Sequence, residues 1–392
     1  MESVAETATQ TAIAMARRAQ RHCESRLPTY LTRLAALVSI DSGPDHRKGR
    51  DEAAGLLADW VSRAGVTVEM IDRPAGLFVH ATLAGDLPGR VVLLGHHDTV
   101  FPLGSVADHP FALRDTIAYG PGTADMKGGL LVALATLEAL LASGLPFPTV
   151  ELHSVPDEEA RTVPFATMDR VSGADAVLVF ECGRTNGNFV SGRKTGAWVR
   201  VAAHGRSAHA GTEPGRGRSA VLGLCREILR CSELHSRRSG LTVTAGTLAG
   251  GTIPNVVPAE AEAVFDVRAE DGEDLRWALQ EMAAFDRHDG LRIELDTIGD
   301  WPGIEPTPAG ERLARAAADL GDALGVHVAG ETTGGMSDGC WTAAAGIPTL
   351  DGLGPVGGHD HSPDEYIDVN SVAQRCGIAA GLTVAIGAGL LG

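Results

Sequence analysis

The stretch from Val91 to Gly129, VVLLGHHDTVFPLGSVADHPFALRDTIAYGPGTADMKGG, decides the fold. Its opening run, Val91 to Gly95, is short, apolar and closed by glycine. That is the pattern of a buried strand delivering His96, His97 and Asp98 at its carboxyl end. In an open α/β sheet, ligands bind there. Side chains alternate along an extended chain, so His96 and Asp98 point to one side and His97 to the other. An imidazole beside a carboxylate suits metal ligation, because the carboxylate accepts from the second ring nitrogen and fixes the tautomer. Further along, Asp125 precedes Lys127-Gly128-Gly129 and the apolar-periodic segment Leu130 to Leu141, which sets a second carboxylate at the mouth of a helix.

A single His-x-Asp at a strand end is also compatible with an ordinary polar loop, so the weight falls on repetition. Thr149 to Val155 reads as another strand and empties into Pro156-Asp157-Glu158-Glu159. Ala176 to Phe180 reads as a third and ends directly on Glu181. Three apolar strands therefore each terminate in oxygen or nitrogen donors. Upstream, Leu27 to Val38 and Asp51 to Ala64 carry helical apolar spacing, the second stopping at Gly65, and Val66 to Ile71 and Leu77 to Leu83 read as strands. Helices alternating with strands predict an α/β layer structure, with a mixed central sheet flanked by helices.

The character changes near Gly192. Strands at Trp198 to Ala203, Leu241 to Leu248, Ala261 to Arg268 and Leu291 to Ile298 alternate with helices at Gly217 to Cys231 and Gly272 to Arg287. That β-α-β-β-α-β order predicts a ferredoxin-like α+β domain spanning 193–305, inserted into a catalytic domain made of 1–192 and 306–392. A polar glycine-bearing turn, His204 to Gly211, carries His209. After the insertion come a helix at Ala309 to Leu324, a glycine-bearing loop at Thr332 to Asp338, the run Gly357-Gly358-His359-Asp360-His361-Ser362-Pro363-Asp364-Glu365-Tyr366, and a final apolar helix, Val369 to Ile386.

Length and composition agree with this plan. At 392 residues, two domains are expected. Lys and Arg total 33 against 50 Asp and Glu, a formal net charge of −17, which opposes nucleic-acid and anionic-membrane partners and favours a small-molecule or peptide substrate. Residues Met1 to Arg26 lack the apolar core of a secretory signal, and no run is expected to span a membrane, so a cytoplasmic location is expected. Cys23, Cys182, Cys225, Cys231, Cys340 and Cys376 show no Cys-x-x-Cys spacing, which argues against disulfides and a thiolate zinc site. All but Cys182 are read as buried free thiols.

The motifs GHHDTV, YGPGTADMKGG, PDEE, FE, SAHAG, TIPNVVPA and HSPDEY occur in an order that resembles the dinuclear-zinc metallopeptidase family of glutamate carboxypeptidase, acetylornithine deacetylase and succinyl-diaminopimelate desuccinylase. The motifs spread over nearly the whole chain beyond its first ~25 residues. The resemblance implies a zinc-peptidase fold with an inserted dimerisation or lid domain. It implies two zinc ions: His96 and Glu181 on one, Glu159 and His361 on the other, and Asp125 bridging them. His359 lies beside His361, but the family's His-Ser pattern fits His361. Asp98 would orient His96, Glu158 would act as general base, and His97 is read as a partly buried or surface histidine without a role. His209 would stabilise the oxyanion, often in the partner subunit's site of a homodimer, and Asn255 and Arg268 would hold a substrate carboxylate.

The chemistry of the set agrees with the resemblance. Two zinc ions bring four positive charges, three carboxylates remove three, and a bridging hydroxide removes the last. Cobalt or manganese suits the same donors. The expected activity is hydrolysis of an amide beside a free carboxylate, in a small peptide or an N-acyl amino acid. A glutamate-carboxypeptidase-like exopeptidase is the leading expectation, with an N-acyl-amino-acid deacylase of the acetylornithine deacetylase type and a non-catalytic amino-acid or peptide-binding relative as alternatives. Glu181, where other branches have Asp, points to the carboxypeptidase and deacylase branches. Two departures bear on specificity: Gly299-Asp300-Trp301-Pro302 lacks an arginine that glutamate-releasing relatives carry, and Ala160-Arg161-Thr162 replaces a small glycine-serine turn.

Overall fold

The structure, a computed structural model, describes residues 2–159, 168–285 and 290–390. The Ala160-Arg161-Thr162 segment and the last residues of the helix expected to reach Arg287 lie outside the described residues. The chain divides into two compact units, one of Met1–Gly192, Pro306–Thr332 and Ser337–Gly392, the other of Arg193–Glu305 with Thr333–Met336.

The first unit is built on a six-stranded mixed sheet, in the order Thr67–Arg73, Gly76–Leu83, Thr149–Val155, Arg90–His96, Ala176–Val179, Thr349–Leu350. The first two pairings are antiparallel and the last three parallel. Arg90–His96 and Thr149–Val155 are buried along all but their first residue, and Ala176–Val179 along all of it. Their apolar runs are continuous because both faces of the sheet are covered. Parallel pairing sets His96 opposite Val155 and Leu94 opposite Val179, so the residues following these three strands emerge at one end of the sheet.

Helix Gly128–Ser143 is apolar nearly all round and closes at Gly144, whose φ of 65° is the left-handed cap. The run Thr123–Ser143, which joins the preceding turn to this helix, is by length and composition apolar enough to cross a membrane, which qualifies the sequence expectation. It is 89% buried within the fold. At its start, a Cβ on Gly129 would lie 1.8 Å from the Phe180 carbonyl oxygen, so only glycine lets the helix approach the strand leading to Glu181.

The N-terminal helix, Glu2–Val38, is longer than the expected Leu27 to Val38. Its stripe of Ala12, Met15, Ala16, Ala19 and Cys23 is buried. Against it packs the C-terminal helix, Asn370–Gly387, so closely that a Cβ on Gly377 would come within 2.9 Å of the Ala16 carbonyl oxygen. A small sheet, ordered Gly357–Gly358, Tyr366–Asp368, Ile117–Tyr119, Ala112–Arg114, also belongs to this unit.

The second unit follows the β-α-β-β-α-β order, its strands arranged Thr242–Gly250, Glu260–Ala269, Thr195–His204, Arg292–Trp301, all neighbours antiparallel. Burial alternates along Glu260–Ala269 as expected for a half-covered sheet. Helices Ala220–Ser232 and Gly272–Ala283 are capped by Ser219 and Asp271. Thr242–Gly250 is an edge strand, mostly exposed over its second half, and Leu222, Leu229, Leu248 and Ile253 are exposed in the same unit. Of the six free thiols, Cys225 as well as Cys182 is only partly buried, one more than expected.

Candidate metal centre

At the shared strand end, His96 Nε2 lies 3.0 Å from Asp125 Oδ1 and 3.6 Å from Glu181 Oε1. The other oxygen of Asp125 lies 3.2 Å from His361 Nε2, which is 3.4 Å from Glu159 Oε2. Asp125 thus divides its two oxygens between two imidazoles. The result is two groups, His96–Asp125–Glu181 and Asp125–Glu159–His361, each with its donor atoms within 4.8 Å of one another. Donor spacings of 3.0–3.6 Å match the edges of a coordination shell whose bonds are about 2.0–2.2 Å. His96 and Glu181 are buried, whereas the His361 side chain is 54% exposed, so the centre opens toward solvent on the His361 side.

Local backbone explains the presentation. Asp125 sits in the kink between Thr123 and Lys127 with extended-type φ and ψ of −118° and 92°, so its side chain leaves the helix that follows. His361 has a φ of 62°, in the left-handed region that a branched or bulky side chain rarely adopts, and the neighbouring turn is closed by Ser362 N–H and Oγ–H donating to the His359 carbonyl. Asp98 is 1% exposed and serves three neighbours: Oδ1 lies 3.3 Å from His96 Nδ1 and accepts from Glu158 N–H at 3.2 Å, and Oδ2 accepts from Glu159 N–H at 3.0 Å. Asp98 therefore holds the backbone carrying Glu158 and Glu159 through its carboxylate and faces the His96 ring with both its carboxylate and its backbone carbonyl, the carbonyl oxygen lying 3.1 Å from His96 Nδ1.

The electrostatics favour cations. Among the described residues, the ion-pair partners of Asp125, Glu159 and Glu181 are imidazoles, with no Lys or Arg. Burial, reinforced by Asp125, pushes Glu181 up to about 8 and Glu159 up to about 7. Burial also lifts Glu158 well above the usual carboxylate range, with Asp338, Glu181 and Glu159 adding to the rise. Hydrogen bonds to Asp125 and Glu159 raise His361 to about 11. Glu159 Oε1 is buried without a hydrogen-bond partner. A crowded set of carboxylates with an orphaned oxygen is costly unless positive charge neutralises it. Two divalent ions fit this donor set.

A third group, His80, Glu151 and His153, also places its donors within 4.8 Å of one another. Its charges are already balanced. Arg90 Nη1 lies 3.1 Å from Glu151 Oε2, and Arg170 Nη1 lies 3.0 Å from both Glu69 Oε2 and His80 Nδ1. Two carboxylates face two guanidinium groups, so a divalent ion would add uncompensated charge. The group is an ion-pair and hydrogen-bond cluster across the antiparallel Gly76–Leu83 and Thr149–Val155 strands, where His80 and His153 are register partners and His80 Nε2 and His153 Nδ1 are buried without hydrogen-bond partners.

His97 corrects the sequence expectation. It is fully buried, with Nδ1 2.8 Å from Ser154 Oγ, and burial lowers it to about 4. Its side chain points to the opposite sheet face from His96, and that face is covered. Asp338, which sequence reasoning did not single out beyond placing its loop near the site, is buried and raises Glu158.

In the second unit, His209 is exposed. Its Nδ1 accepts from Gly211 N–H at 3.1 Å and Thr212 N–H at 3.2 Å. That places the proton of the neutral ring on Nε2, free to donate. A bridge between His209 and Val256, with Ala210 N–H donating to the Asn255 carbonyl, brings Asn255 beside it. Arg268 is more committed than its expected role requires. It pairs with both oxygens of Asp266 at 2.8 and 3.0 Å, donates to the Gly334 carbonyl at 2.6 Å and lies over the Trp301 ring.

Residues 92–384 match peptidase family M20/M25/M40. The chain is 30% identical over 380 residues to carboxypeptidase G2 of Pseudomonas sp. (strain RS-16), covering 92% of this chain and 90% of that one. It is likewise 30% identical over 353 residues to succinyl-diaminopimelate desuccinylase of Methylorubrum extorquens (strain PA1), covering 81% of this chain and 89% of that one. Among solved structures, the fold is shared with aminopeptidase PepT from Bacillus cereus, at a TM-score of 0.78 and 23% identity over 92% of this chain and 98% of that one. A metallo-carboxypeptidase from Sulfolobus solfataricus aligns at a TM-score of 0.69 and 16% identity, covering 91% and 99%.

Proposed function

The chain belongs to peptidase family M20/M25/M40, a family of hydrolases, and from that premise we propose that it is a two-metal exopeptidase cleaving an amide whose amine side bears a free carboxylate. The observation that carries this reading is the sharing of Asp125 between two imidazole–carboxylate groups, with Glu158 beside them and no Lys or Arg in ion-pair contact among the described residues.

His96, Asp125 and Glu181 would hold one ion, and Asp125, Glu159 and His361 the other. When bound, zinc would polarise the scissile carbonyl and make water acidic enough to attack near neutral pH. Glu158 takes the proton of the attacking water and returns it to the departing amine, which leaves poorly unless protonated. A burial-raised carboxyl is suited to that transfer once nearby positive charge brings it back toward the working pH. Asp98 keeps the His96 ring in the ligating tautomer. His209 offers its Nε2–H to the carbonyl oxygen as negative charge develops, and Asn255 and Arg268 hold the substrate carboxylate, Arg268 by exchanging its bond to the Gly334 carbonyl.

Similarity to carboxypeptidase G2 supports a peptide-like substrate. The desuccinylase relatives keep an N-acyl-amino-acid deacylase as the second reading. The Gly299–Pro302 stretch has no arginine of its own, and this departure bears on whether the released residue is glutamate. A homodimer through the second unit is part of the proposal. It is supported by the exposed Thr242–Gly250 edge and by the exposed Leu222, Leu229, Leu248 and Ile253.

Metal analysis of the purified chain, with a screen of dipeptides and N-acyl amino acids before and after chelation, tests the proposal. About two zinc per chain and chelator-sensitive amide hydrolysis are expected. No zinc uptake and no hydrolysis would transfer the chain to the non-catalytic binding class.

A further inference from the structure

The turn that presents Asp125 has its backbone amides gathered by one side chain from a distant part of the chain. Glu365 Oε1 accepts from Ala124 N–H at 2.7 Å and from Asp125 N–H at 2.9 Å, and Oε2 accepts from Gly122 N–H at 3.0 Å. Glu365 is 1% exposed, and among the described residues it forms no ion pair with Lys or Arg.

Strand pairing explains why these residues meet. Tyr366–Asp368 runs antiparallel to Ile117–Tyr119, with Tyr366 opposite Tyr119. The residues following Tyr119 and those preceding Tyr366 therefore leave the same end of one ladder. Gly120 N–H extends it by donating to the Glu365 carbonyl at 3.3 Å. The chain after Tyr119 leads to Asp125, and the chain before Tyr366 contains His361. The pairing thus brings the carrier of the shared carboxylate beside the carrier of the more exposed imidazole.

We propose that Glu365 is a positioning residue for the metal centre, fixing the Gly122–Asp125 turn and tying it to the His361 segment so that both ligand carriers hold one geometry. The inference rests on the two-metal reading above. Because Asp125 serves both groups, a loosened turn disturbs both metals, whereas losing Glu159 or Glu181 disturbs one.

Glu365→Gln keeps the shape but leaves one accepting oxygen, so its amide group faces a backbone N–H that it cannot satisfy. Zinc binding to the full chain, read by competition with a chromophoric chelator, is expected to weaken by about 10–100-fold for both equivalents, the range seen when residues supporting a ligand are changed. The visible absorption of cobalt-loaded protein is expected to change with it, while the metal-free unfolding midpoint reports that the variant is folded. Unchanged affinity for both equivalents and an unchanged cobalt spectrum would overturn the inference. If the Gln variant does not fold, Glu365→Asp carries the test: it keeps the carboxyl group but is one methylene short, and wild-type zinc affinity in it would overturn the inference equally. A wild-type chain that binds no zinc overturns both this role and the proposed function. Two tight equivalents in wild type and in the Gln variant overturn this role alone.

Discussion

Replacing Asp98 with asparagine tests how much of the centre depends on one buried carboxylate. Asp98 has two oxygens facing three donors, His96 Nδ1 and the amides of Glu158 and Glu159. Asparagine preserves the shape and supplies a single oxygen. If that oxygen faces His96 and Glu158, the NH₂ group meets Glu159 N–H, donor against donor; the flipped amide fails Glu158 N–H, while His96 Nδ1 keeps the backbone carbonyl of residue 98 at 3.1 Å. Loss of a hydrogen bond to a charged acceptor costs about 1.5–3 kcal/mol, and a buried donor left unsatisfied costs about 1–3 kcal/mol. Those terms overlap, so we take about 3 kcal/mol, or roughly 100-fold at 1.36 kcal/mol per decade. The expected result for Asp98→Asn is a fall of about 100-fold in kcat/KM on the best substrate from the amide screen, with zinc affinity weakened by about 10–100-fold. Both quantities within threefold of wild type would refute the orienting role and the magnitude together.

Glu158→Gln is expected to retain two zinc ions and lose about 10²–10⁴-fold in kcat; full turnover would remove it as the proton carrier. His209→Ala is expected to lower kcat by about 10²–10³-fold with unchanged metal content, and an equal loss of zinc would contradict the oxyanion role. The pH dependence of metal uptake has a definite sign. In the metal-free chain, hydrogen bonds to Asp125 and Glu159 hold His361 protonated up to about 11, and burial holds Glu181 protonated up to about 8. Metal must expel these protons, so zinc affinity in chelator competition is expected to rise about tenfold or more per pH unit between about pH 6 and 8; a flat profile would contradict it. Leu248→Arg on the exposed edge is expected to reduce the mass measured by light scattering from roughly twice 40.7 kDa to 40.7 kDa, and an undisturbed dimer would place the interface elsewhere.

The parts of the chain with strong periodicity were legible. The apolar run before His96, the helix after Lys127 and the alternation in the second unit each follow from local pattern, and parallel pairing then brings the strand-end donors together. The first 26 residues were not read as helix, although Ala12, Met15, Ala16, Ala19 and Cys23 recur at helical spacing. Three of the five are alanine, so the stripe is weakly hydrophobic, and Pro28, usually found in a first turn, lies inside this helix. His97 was misjudged because its surroundings depend on the layer covering the far face of the sheet. Arg268 fits a carboxylate-binding fork by type, but type does not reveal that Asp266 and Gly334 occupy its donors. Likewise Glu365 stood in plain view within HSPDEY, yet nothing local links it to amides at 122, 124 and 125.

The pairing of the Glu2–Val38 helix with Asn370–Gly387 means that the first unit has no finished core until almost the entire chain exists. The second unit, nearly contiguous in sequence, has no such wait. During synthesis at about 5–20 residues per second, His96, Asp125 and Glu181 are all made about 10–40 s before His361. The nascent chain therefore carries a complete set of donors for one ion well before it can offer a second. Synthesis thus orders the appearance of the donors, whereas their geometry is set together, because Glu365, which holds the Asp125 turn, and the Asn370–Gly387 helix both follow His361.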